Sequence, residues 1–244
     1  MAARMKSRAG VTTPSERQPL LLWAHILKPL LVVFITVGAI RSAVADWNDV
    51  PSQSMEPTIL TGDRIFVNRL AYDLRVPFTK FRVARWSDPE RGEVVIFHEP
   101  DSDVRMVKRV IGLPGDRITL MANQLYVNDI PALYWRTSGE ELECCELHDP
   151  PPHVFANEAI AGSTHRIMLQ PHRRSRHSVG SVIVPDGHYF LLGDNRDNSS
   201  DSRVFGMVDR DRIVGRVAGV VFSLDPERKY APRWDRLFSD IDGH

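Results

Sequence analysis

Val104-Arg105-Met106-Val107-Lys108-Arg109-Val110-Ile111 is the stretch of sequence that decides the fold. Its short length and its β-branched residues are typical of a β-strand. Side chains of a strand alternate between two faces, so Met106, Lys108 and Val110 are expected on the same face. A lysine between two apolar neighbours is unusual, because burying an ammonium group costs free energy.

Short apolar segments of the same kind occur on both sides of this stretch, with Gly, Pro, Asn and Asp between them. Asn128-Asp129 separates two of them and is typical of a tight hairpin turn, since both residues tolerate positive φ. Because no long helical pattern alternates with the segments, a parallel sheet with crossover helices is not expected. The sequence predicts a mostly β fold of antiparallel sheets. The other predicted strands are 64–67, 93–97, 117–120, 124–127, 166–169, 181–184, 189–192 and 213–222.

The composition of the 244 residues is that of a folded protein, because 43% of them are hydrophobic. Thirty-one basic residues balance 31 acidic ones, so the net charge does not indicate nucleic acid as a partner. The two cysteines, Cys144 and Cys145, are adjacent, which is unfavourable for a disulfide between them. They also lack the spacing of metal ligands, so neither a disulfide nor a metal site is predicted.

Residues 19–45 form an apolar segment ahead of the predicted strands. A helix of about 20 residues crosses a bilayer core of about 30 Å, and this segment is long enough, although Lys28 and Pro29 interrupt it. The sequence favours a transmembrane anchor, with a cleaved signal sequence or a buried soluble helix as the alternatives. The basic residues within 1–18 predict a cytoplasmic N-terminus and place residues 46–244 on the other side of the membrane.

Residues 136–180 depart from the pattern of short strands. Acidic residues and the run Pro150-Pro151-Pro152 predict that much of this stretch is an irregular, exposed insertion. A basic cluster at 172–177 predicts a solvated loop, and the alternative is contact with anionic lipid headgroups near the anchor.

Ser52-Gln53-Ser54 follows the apolar segment closely and lies between prolines. A serine nucleophile needs a base to accept its proton, and the context of the nine histidines indicates no Ser-His-Asp set, although order along the chain excludes none. Desolvation lowers the pKa of a lysine, and a neutral amine is a competent general base. Lys108 is therefore a candidate base, and the alternative is an ion-paired or edge-exposed lysine.

The segment 193–203 follows a predicted strand and, after its glycine, contains only charged or small polar residues. Such a segment is typical of a solvated turn, but it also permits a dense hydrogen-bond network.

Four segments, in this order after an apolar N-terminus, resemble the bacterial type I signal peptidases, or leader peptidases. They are Ser54-Met55-Glu56-Pro57-Thr58, 91–97, 108–116 and 193–203. The resemblance extends over roughly residues 20–225. Two departures are Gln53, where the family commonly has glycine, and Glu93, where it usually has aspartate.

The resemblance implies a serine endopeptidase that uses a Ser–Lys dyad to remove signal peptides from exported preproteins. It implies a partly open barrel as the catalytic domain, one N-terminal transmembrane helix, and a position at the outer, periplasmic face of the cytoplasmic membrane. Preproteins and membrane lipid are the expected partners, and neither a metal nor another cofactor is required.

The resemblance also implies roles for individual residues. Ser54 would be the nucleophile and Lys108 the general base, while the Ser52 hydroxyl and the Ser54 N–H would form the oxyanion hole. Ser199 would orient the Lys108 amine. The remaining implied residues are the ion pair Asp201 and Arg203, the supporting Asp194 and Asn195, and Met55 and Met106 as the lining of the substrate pocket.

Two alternatives remain from the sequence. The first is a specialised peptidase of the same clan that processes a conjugation or pilus protein. The second is a non-enzymatic, membrane-tethered β-domain that acts as a binding factor.

Overall fold

The computed structural model describes residues 26–43, 45–76, 79, 81–136 and 153–241. The helices within these residues are α1 (Lys28–Ala43) and α2 (Ser202–Phe205), with single 3-10 turns at Arg69–Ala71, Arg210–Arg212 and Trp234–Arg236. The strands are β1 (Ala45–Asp49), β2 (Asp63–Asn68), β3 (Asp73–Arg75), β4 (Arg82–Arg85), β5 (Val94–His98), β6 (Arg105–Gly112), β7 (Arg117–Met121), β8 (Gln124–Val127), β9 (Ile130–Pro131), β10 (Leu133–Arg136), β11 (Val154–Ile160), β12 (Ser163–Leu169), β13 (Val179–Ile183), β14 (His188–Leu192), β15 (Val208–Asp209), β16 (Ile213–Asp225) and β17 (Ala231–Pro232).

The fold is mostly β, as the sequence predicts. The main sheet has the order β1-β2-β16-β5-β6-β14-β15, with β17 added to β16. Its strand pairs are antiparallel. Three smaller sheets have the orders β13-β7-β8-β9, β10-β11-β12 and β3-β4. The predicted turn at Asn128-Asp129 is confirmed, because both residues have positive φ between β8 and β9.

Apolar clusters on the main sheet fix the strand that carries Lys108. Met106 and Val110 of β6 pack in one cluster, and so does Val95, which lies opposite Lys108 in the register of β5 and β6. The alternation expected from the sequence is therefore present. A second cluster joins Met55 and Ile59, from the connection between β1 and β2, to the apolar residues of β2, β5 and β16.

Helix α1 lies within the segment predicted to be a membrane anchor. It has 16 residues, and Leu30, Phe34 and Val37 are exposed. Residues 19–25 and 44 of that segment lie outside the described residues. None of the helices in the described residues is both long enough and apolar enough to cross a membrane.

The irregular insertion predicted over residues 136–180 needs a correction. β11 and β12 form a regular antiparallel hairpin within it, and β13 pairs with β7. In β11 the buried face consists of Ala156, Glu158 and Ile160. An acidic residue at the centre of a buried face hides the alternation that identifies a strand. Residues 137–152, which include Cys144 and Cys145, lie outside the described residues.

Gly62 closes the connection between β1 and β2. Its N–H donates to the carbonyl of Val50 at 3.0 Å, and its own carbonyl accepts from Leu224 N–H at 3.0 Å. Its φ is +91°, and a Cβ at this position would lie 2.0 Å from the Leu224 carbonyl oxygen. Gly115 has a similar φ of +87°, but a Cβ there would meet nothing within 4 Å.

Gly62→Ala should destabilise the protein more than Gly115→Ala. Both changes force an alanine into a left-handed conformation, at a cost of about 1–2 kcal/mol. Only Gly62→Ala adds overpacking against the backbone, worth about 1–3 kcal/mol more. In thermal unfolding of the full chain, each kcal/mol should lower the Tm by about 2–4 °C. Equal Tm shifts for the two variants would contradict the close approach of Gly62 to Leu224.

Candidate active site

Ser54 lies in the connection between β1 and β2. A hydrogen bond closes this connection at its base, because the N–H of Val50, directly after β1, donates to the carbonyl of Asp63, the first residue of β2, at 3.0 Å. Met55, which directly follows Ser54, is 1% exposed and packs in the core, as does Ile59. These buried side chains anchor the turn and leave Ser54 half-buried at its surface.

The C-terminal segment stabilises the same turn. Arg236 donates to both carboxylate oxygens of Asp63, at 3.1 and 2.6 Å, and to the carbonyl of Thr58 at 3.0 Å. Asp63 in turn accepts from Leu60 N–H at 2.8 Å. The sequence did not predict this contact, because the two segments lie far apart in the chain and carry no shared motif.

Lys108 of β6 reaches Ser54 directly. Its Nζ donates to Ser54 Oγ at 2.7 Å and to the carbonyl of Val107 at 2.9 Å. The residue is 1% exposed, so the amine lies beneath the serine, away from bulk water. The structure thus brings together the two residues for which the resemblance implies the roles of nucleophile and base.

Burial lowers the pKa of Lys108 to about 8 from its ordinary value of 10.5. The carboxylates of Asp201 and Asp194 act in the opposite direction, and the Arg203 guanidinium acts with burial. A lysine with this pKa is neutral in an appreciable fraction of molecules near neutral pH. A neutral amine accepts a proton from a serine hydroxyl, whereas an ammonium group does not.

Ser54 opens onto a cleft with a volume of about 410 Å³. Ser52 Oγ lies 3.3 Å from Ser54 Oγ at the edge of this cleft. The lining residues are Pro51, Ser52, Gln53, Ser54, Thr61, Met106, Lys108, Asn198 and Ser200. Met106 lines the cleft as expected, but Met55 does not, because its side chain packs inward against the core. The structure therefore places Met106, but not Met55, in the lining of this cleft.

Asp194 forms a buried ion pair with Arg109, the residue after Lys108. Arg109 Nε and Nη2 donate to the two carboxylate oxygens at 2.9 and 2.8 Å, and the Thr58 hydroxyl donates to the same carboxylate at 2.5 Å. Burial alone would raise the pKa of Asp194, but Arg109 outweighs it and holds the pKa below its ordinary value. Asp194 therefore remains ionised and links β6 to the turn that carries Ser54.

Asp201 and Arg203 form a second buried ion pair, in agreement with the role implied by the resemblance. Arg203 Nε and Nη2 each donate to one carboxylate oxygen at 2.8 Å, and Gly193 N–H donates to Asp201 at 3.1 Å. Burial acts to raise the pKa of Asp201, and the bond and charge of Arg203 lower it below its ordinary value. The pair closes residues 193–203 into a loop that is buried except at 198–200, rather than a solvated turn.

Ser199 does not make the contact implied for it. Its hydroxyl is buried and has no hydrogen-bond partner among the described residues, the Lys108 amine included, and the serine lies against Gly193. A Cβ on Gly193 would lie 2.2 Å from Ser199 Oγ and 2.4 Å from the Ser54 carbonyl oxygen. Ser199 thus lies beside the nucleophile turn without a hydrogen bond to the dyad.

The basic cluster at 172–177 is exposed or half-buried, as predicted for a solvated loop, but it also contacts the 193–203 loop. The Ser175 hydroxyl donates to Asp197 at 2.7 Å, and His177 Nδ1 lies 3.1 Å from the same carboxylate. Arg176 donates to the carbonyl of Arg203, which donates to the carbonyl of Arg176 at 3.1 Å. A run of basic residues gives no sequence signal for such specific contacts.

Arg196 joins the same loop to the β11–β12 hairpin. Its Nη1 donates to Glu158 Oε2 at 2.8 Å, and both side chains are almost fully buried. The Tyr134 hydroxyl donates to the same carboxylate. Among the described residues, no group of three or more His, Cys, Asp or Glu side chains is placed to hold a metal ion.

Comparisons with known proteins identify the family. The family model described as signal peptidase, peptidase S26, matches residues 23–222. The chain belongs to this family. It is 33% identical over 242 residues to signal peptidase I of Pseudomonas fluorescens, with 94% of this chain and 82% of the relative covered. Signal peptidase I of Pseudomonas aeruginosa is 32% identical over 249 residues, covering 91% of this chain and 84% of that relative.

Signal peptidase I of Rickettsia typhi is 36% identical over 208 residues, which cover 75% of this chain and 74% of the relative. A solved signal peptidase I from Enterococcus faecalis V583 is 28% identical, with 54% of this chain and 98% of that chain covered and a TM-score of 0.32. As a member of the peptidase S26 family this chain is an enzyme, so the non-enzymatic binding factor is excluded.

The activity of this signal peptidase should rise as the pH passes through about 8. Below that pH Lys108 is protonated and cannot accept the serine proton, and above it the amine is free. The measurement is kcat/KM between about pH 6 and about pH 10. A flat profile, or a limb in the range of a carboxylate or histidine, would contradict the assignment of Lys108 as base.

Lys108→Met should inactivate the enzyme and yet stabilise its fold near neutral pH. One pKa unit equals about 1.4 kcal/mol, so the fall from 10.5 to about 8 means that the buried ammonium costs about 3 kcal/mol below pH 8. This cost disappears as the pH rises through the ordinary pKa of lysine. In denaturant unfolding, the free energy of unfolding of Lys108→Met should exceed that of the parent most below pH 8, and this excess should vanish at high pH. The loss of the two hydrogen bonds of Lys108 reduces the excess at every pH. A variant that is less stable at every pH contradicts this account.

Proposed function

We propose that this chain is a membrane-anchored serine endopeptidase that removes N-terminal signal peptides from exported preproteins, with Ser54 as nucleophile and Lys108 as general base. The observation that carries the proposal is the 2.7 Å contact between the buried Lys108 amine and Ser54 Oγ. A nucleophile and a base within hydrogen-bond reach are the minimum that such chemistry requires.

The proposed reaction has two halves. Neutral Lys108 accepts the Ser54 proton as Oγ attacks the scissile carbonyl, and the negative charge of the tetrahedral intermediate falls on the former carbonyl oxygen. The Ser54 N–H and the Ser52 hydroxyl donate to that oxygen. Lys108 then gives its proton to the leaving amine, which is the new N-terminus of the mature protein. Water, deprotonated by Lys108, hydrolyses the acyl-enzyme and releases the signal peptide.

The cleft beside Ser54 is where an extended substrate would bind. Met106, Asn198 and Ser200 line it, and its volume is about 410 Å³. An extended peptide gains affinity through main-chain hydrogen bonds when it lies along such a cleft, while its side chains are selected by size. Membership of the signal peptidase family implies that these are small side chains one and three positions before the cut.

The anchor of the proposed enzyme is the segment 19–45. Its described part, α1, carries exposed apolar side chains such as Leu31 and Ile35, which water solvates poorly and lipid accepts. The basic residues in 1–18 favour a cytoplasmic N-terminus, so the catalytic domain would face the periplasm. An enzyme held there meets the cleavage site of a signal peptide close to the membrane surface.

Ser54→Ala and Lys108→Arg should each abolish cleavage of a signal-bearing precursor by the purified enzyme. Alanine removes the nucleophile, and a guanidinium does not act as a neutral base at accessible pH. The expected loss of kcat exceeds about 10³-fold, since members of such a catalytic unit act together.

Ser200→Ala is the matched control, because Ser200 lines the same cleft but is exposed and makes no contact with the dyad. It should keep kcat within a few-fold of the parent enzyme. Thermal unfolding verifies that all three variants are folded. Full activity in Ser54→Ala or Lys108→Arg ends the proposal.

A further inference from the structure

Asn195 holds the carbonyl group of the peptide unit between Gln53 and Ser54 by a hydrogen bond. Asn195 Nδ2 donates to the Gln53 carbonyl at 3.2 Å, and its backbone N–H donates to the Ser54 carbonyl at 3.2 Å. A single residue of the 193–203 loop thus holds two successive carbonyl groups of the nucleophile turn. The exposed fraction of Asn195 is 0%, so both carbonyl groups point inward.

Because the peptide bond is planar, the contact of Asn195 with the Gln53 carbonyl also fixes the direction of the Ser54 N–H. The Gln53–Ser54 bond is trans, as the cis bond of this turn lies at Glu56–Pro57. In a trans peptide the C=O and the following N–H point in opposite directions. A Gln53 carbonyl directed at buried Asn195 therefore directs the Ser54 N–H outward, to the side where Ser52 and Ser54 line the cleft.

Asn195 is itself held rigidly enough to act in this way. It forms a parallel bridge with Met168 of β12, where Met168 N–H donates to the Asp194 carbonyl at 2.9 Å and Arg196 N–H donates to the Met168 carbonyl at 2.9 Å. The ion pair of Asp194 with Arg109 fixes the preceding residue. Glu56 N–H also donates to the Gln53 carbonyl, at 3.1 Å, but Glu56 belongs to the same turn and moves with it.

We propose that Asn195 is a positioning residue for the oxyanion hole, which keeps the Ser54 N–H directed at the oxygen of the tetrahedral intermediate by holding the Gln53 carbonyl. The inference rests on the proposed function, since it needs Ser54 as the nucleophile. Asn195 itself contacts neither the substrate nor the dyad side chains; it acts through the peptide plane. A displacement of about 1 Å in such a donor is enough to slow a reaction about 100-fold.

Asn195→Ala tests the proposal by removing the Nδ2 donor while keeping the backbone bond to Ser54. Steady-state cleavage of a signal-bearing precursor should show kcat reduced about 10- to 100-fold, with KM changed by less than about threefold. A peptide boronate, which forms a tetrahedral adduct on Ser54, should lose affinity by a factor similar to the loss in kcat/KM. If the alanine variant does not fold, Asn195→Ser replaces it in the same measurements. The serine hydroxyl lies one bond closer to its own backbone than the Asn195 amide nitrogen and so does not reach the Gln53 carbonyl.

Asn198→Ala is the matched control. Asn198 belongs to the same loop and donates to Gln53 as well, but to the side-chain Oε1, at 2.9 Å. Removing it leaves the peptide plane in place, so its loss in kcat should be at least several-fold smaller than that of Asn195→Ala. The acidic limb near pH 8 should also stay where it is in Asn195→Ala, because Asp194 and Asp201 continue to act on Lys108.

The inference is overturned if Asn195→Ala retains activity within about threefold of the parent while Ser54→Ala is inactive. It is also overturned if Asn195→Ala changes only KM. A third contrary result is an Asn195→Ala enzyme whose acidic limb is shifted but whose boronate affinity is unchanged. The last result would mean that the change only disturbs the loop. Activity in Ser54→Ala would instead refute the proposed function, and this inference with it.

Discussion

The site depends on one buried amine, that of Lys108, held against the hydroxyl of Ser54. Desolvation lowers the pKa of this amine, whereas nearby carboxylates act to raise it. Asp194 and Asp201 are the carboxylates in question, and each is paired with its own arginine, Arg109 or Arg203. The guanidinium groups limit how strongly the carboxylates favour the ammonium form. A lysine can therefore be neutral near pH 8 in a pocket that contains two negative charges.

These ion pairs also explain how so polar a loop can be buried. An unpaired carboxylate at the positions of Asp194 or Asp201 would be expensive, because burial removes its water without replacing the hydrogen bonds. Each carboxylate instead accepts bonds from both an arginine and a backbone or hydroxyl donor. Arg196 extends the network to Glu158 on the β11–β12 hairpin. Such a network contributes little net stability, but it specifies one arrangement of the loop.

Local pattern predicted the central strands of the main sheet, and the resemblance implied the dyad, but neither was sufficient where a charged side chain is buried by a distant partner. Alternation placed Lys108 on a strand face, and the turn at Asn128-Asp129 followed from its residue types. Glu158 concealed a strand, because its partner Arg196 lies in another part of the sequence. The contact of Arg236 with Asp63 was missed for the same reason. Met55 and Ser199 were placed by resemblance alone, and their side chains turn toward the core and the loop instead.

The distances along the chain show why the dyad needs the whole sheet. Ser54 and Lys108 are 54 residues apart, and Asn195 lies 142 residues from the Gln53 carbonyl it holds. In the sheet, β16 and β5 separate β2, which follows the nucleophile turn, from β6. A proton transfer tolerates errors of only about 0.5 Å, and flexible loops alone do not hold such geometry. The strands supply the rigidity, and the buried Asp194–Arg109 pair joins β6 to the loop that contacts the turn, so Lys108, Ser54 and the proposed oxyanion donor are held by one continuous framework.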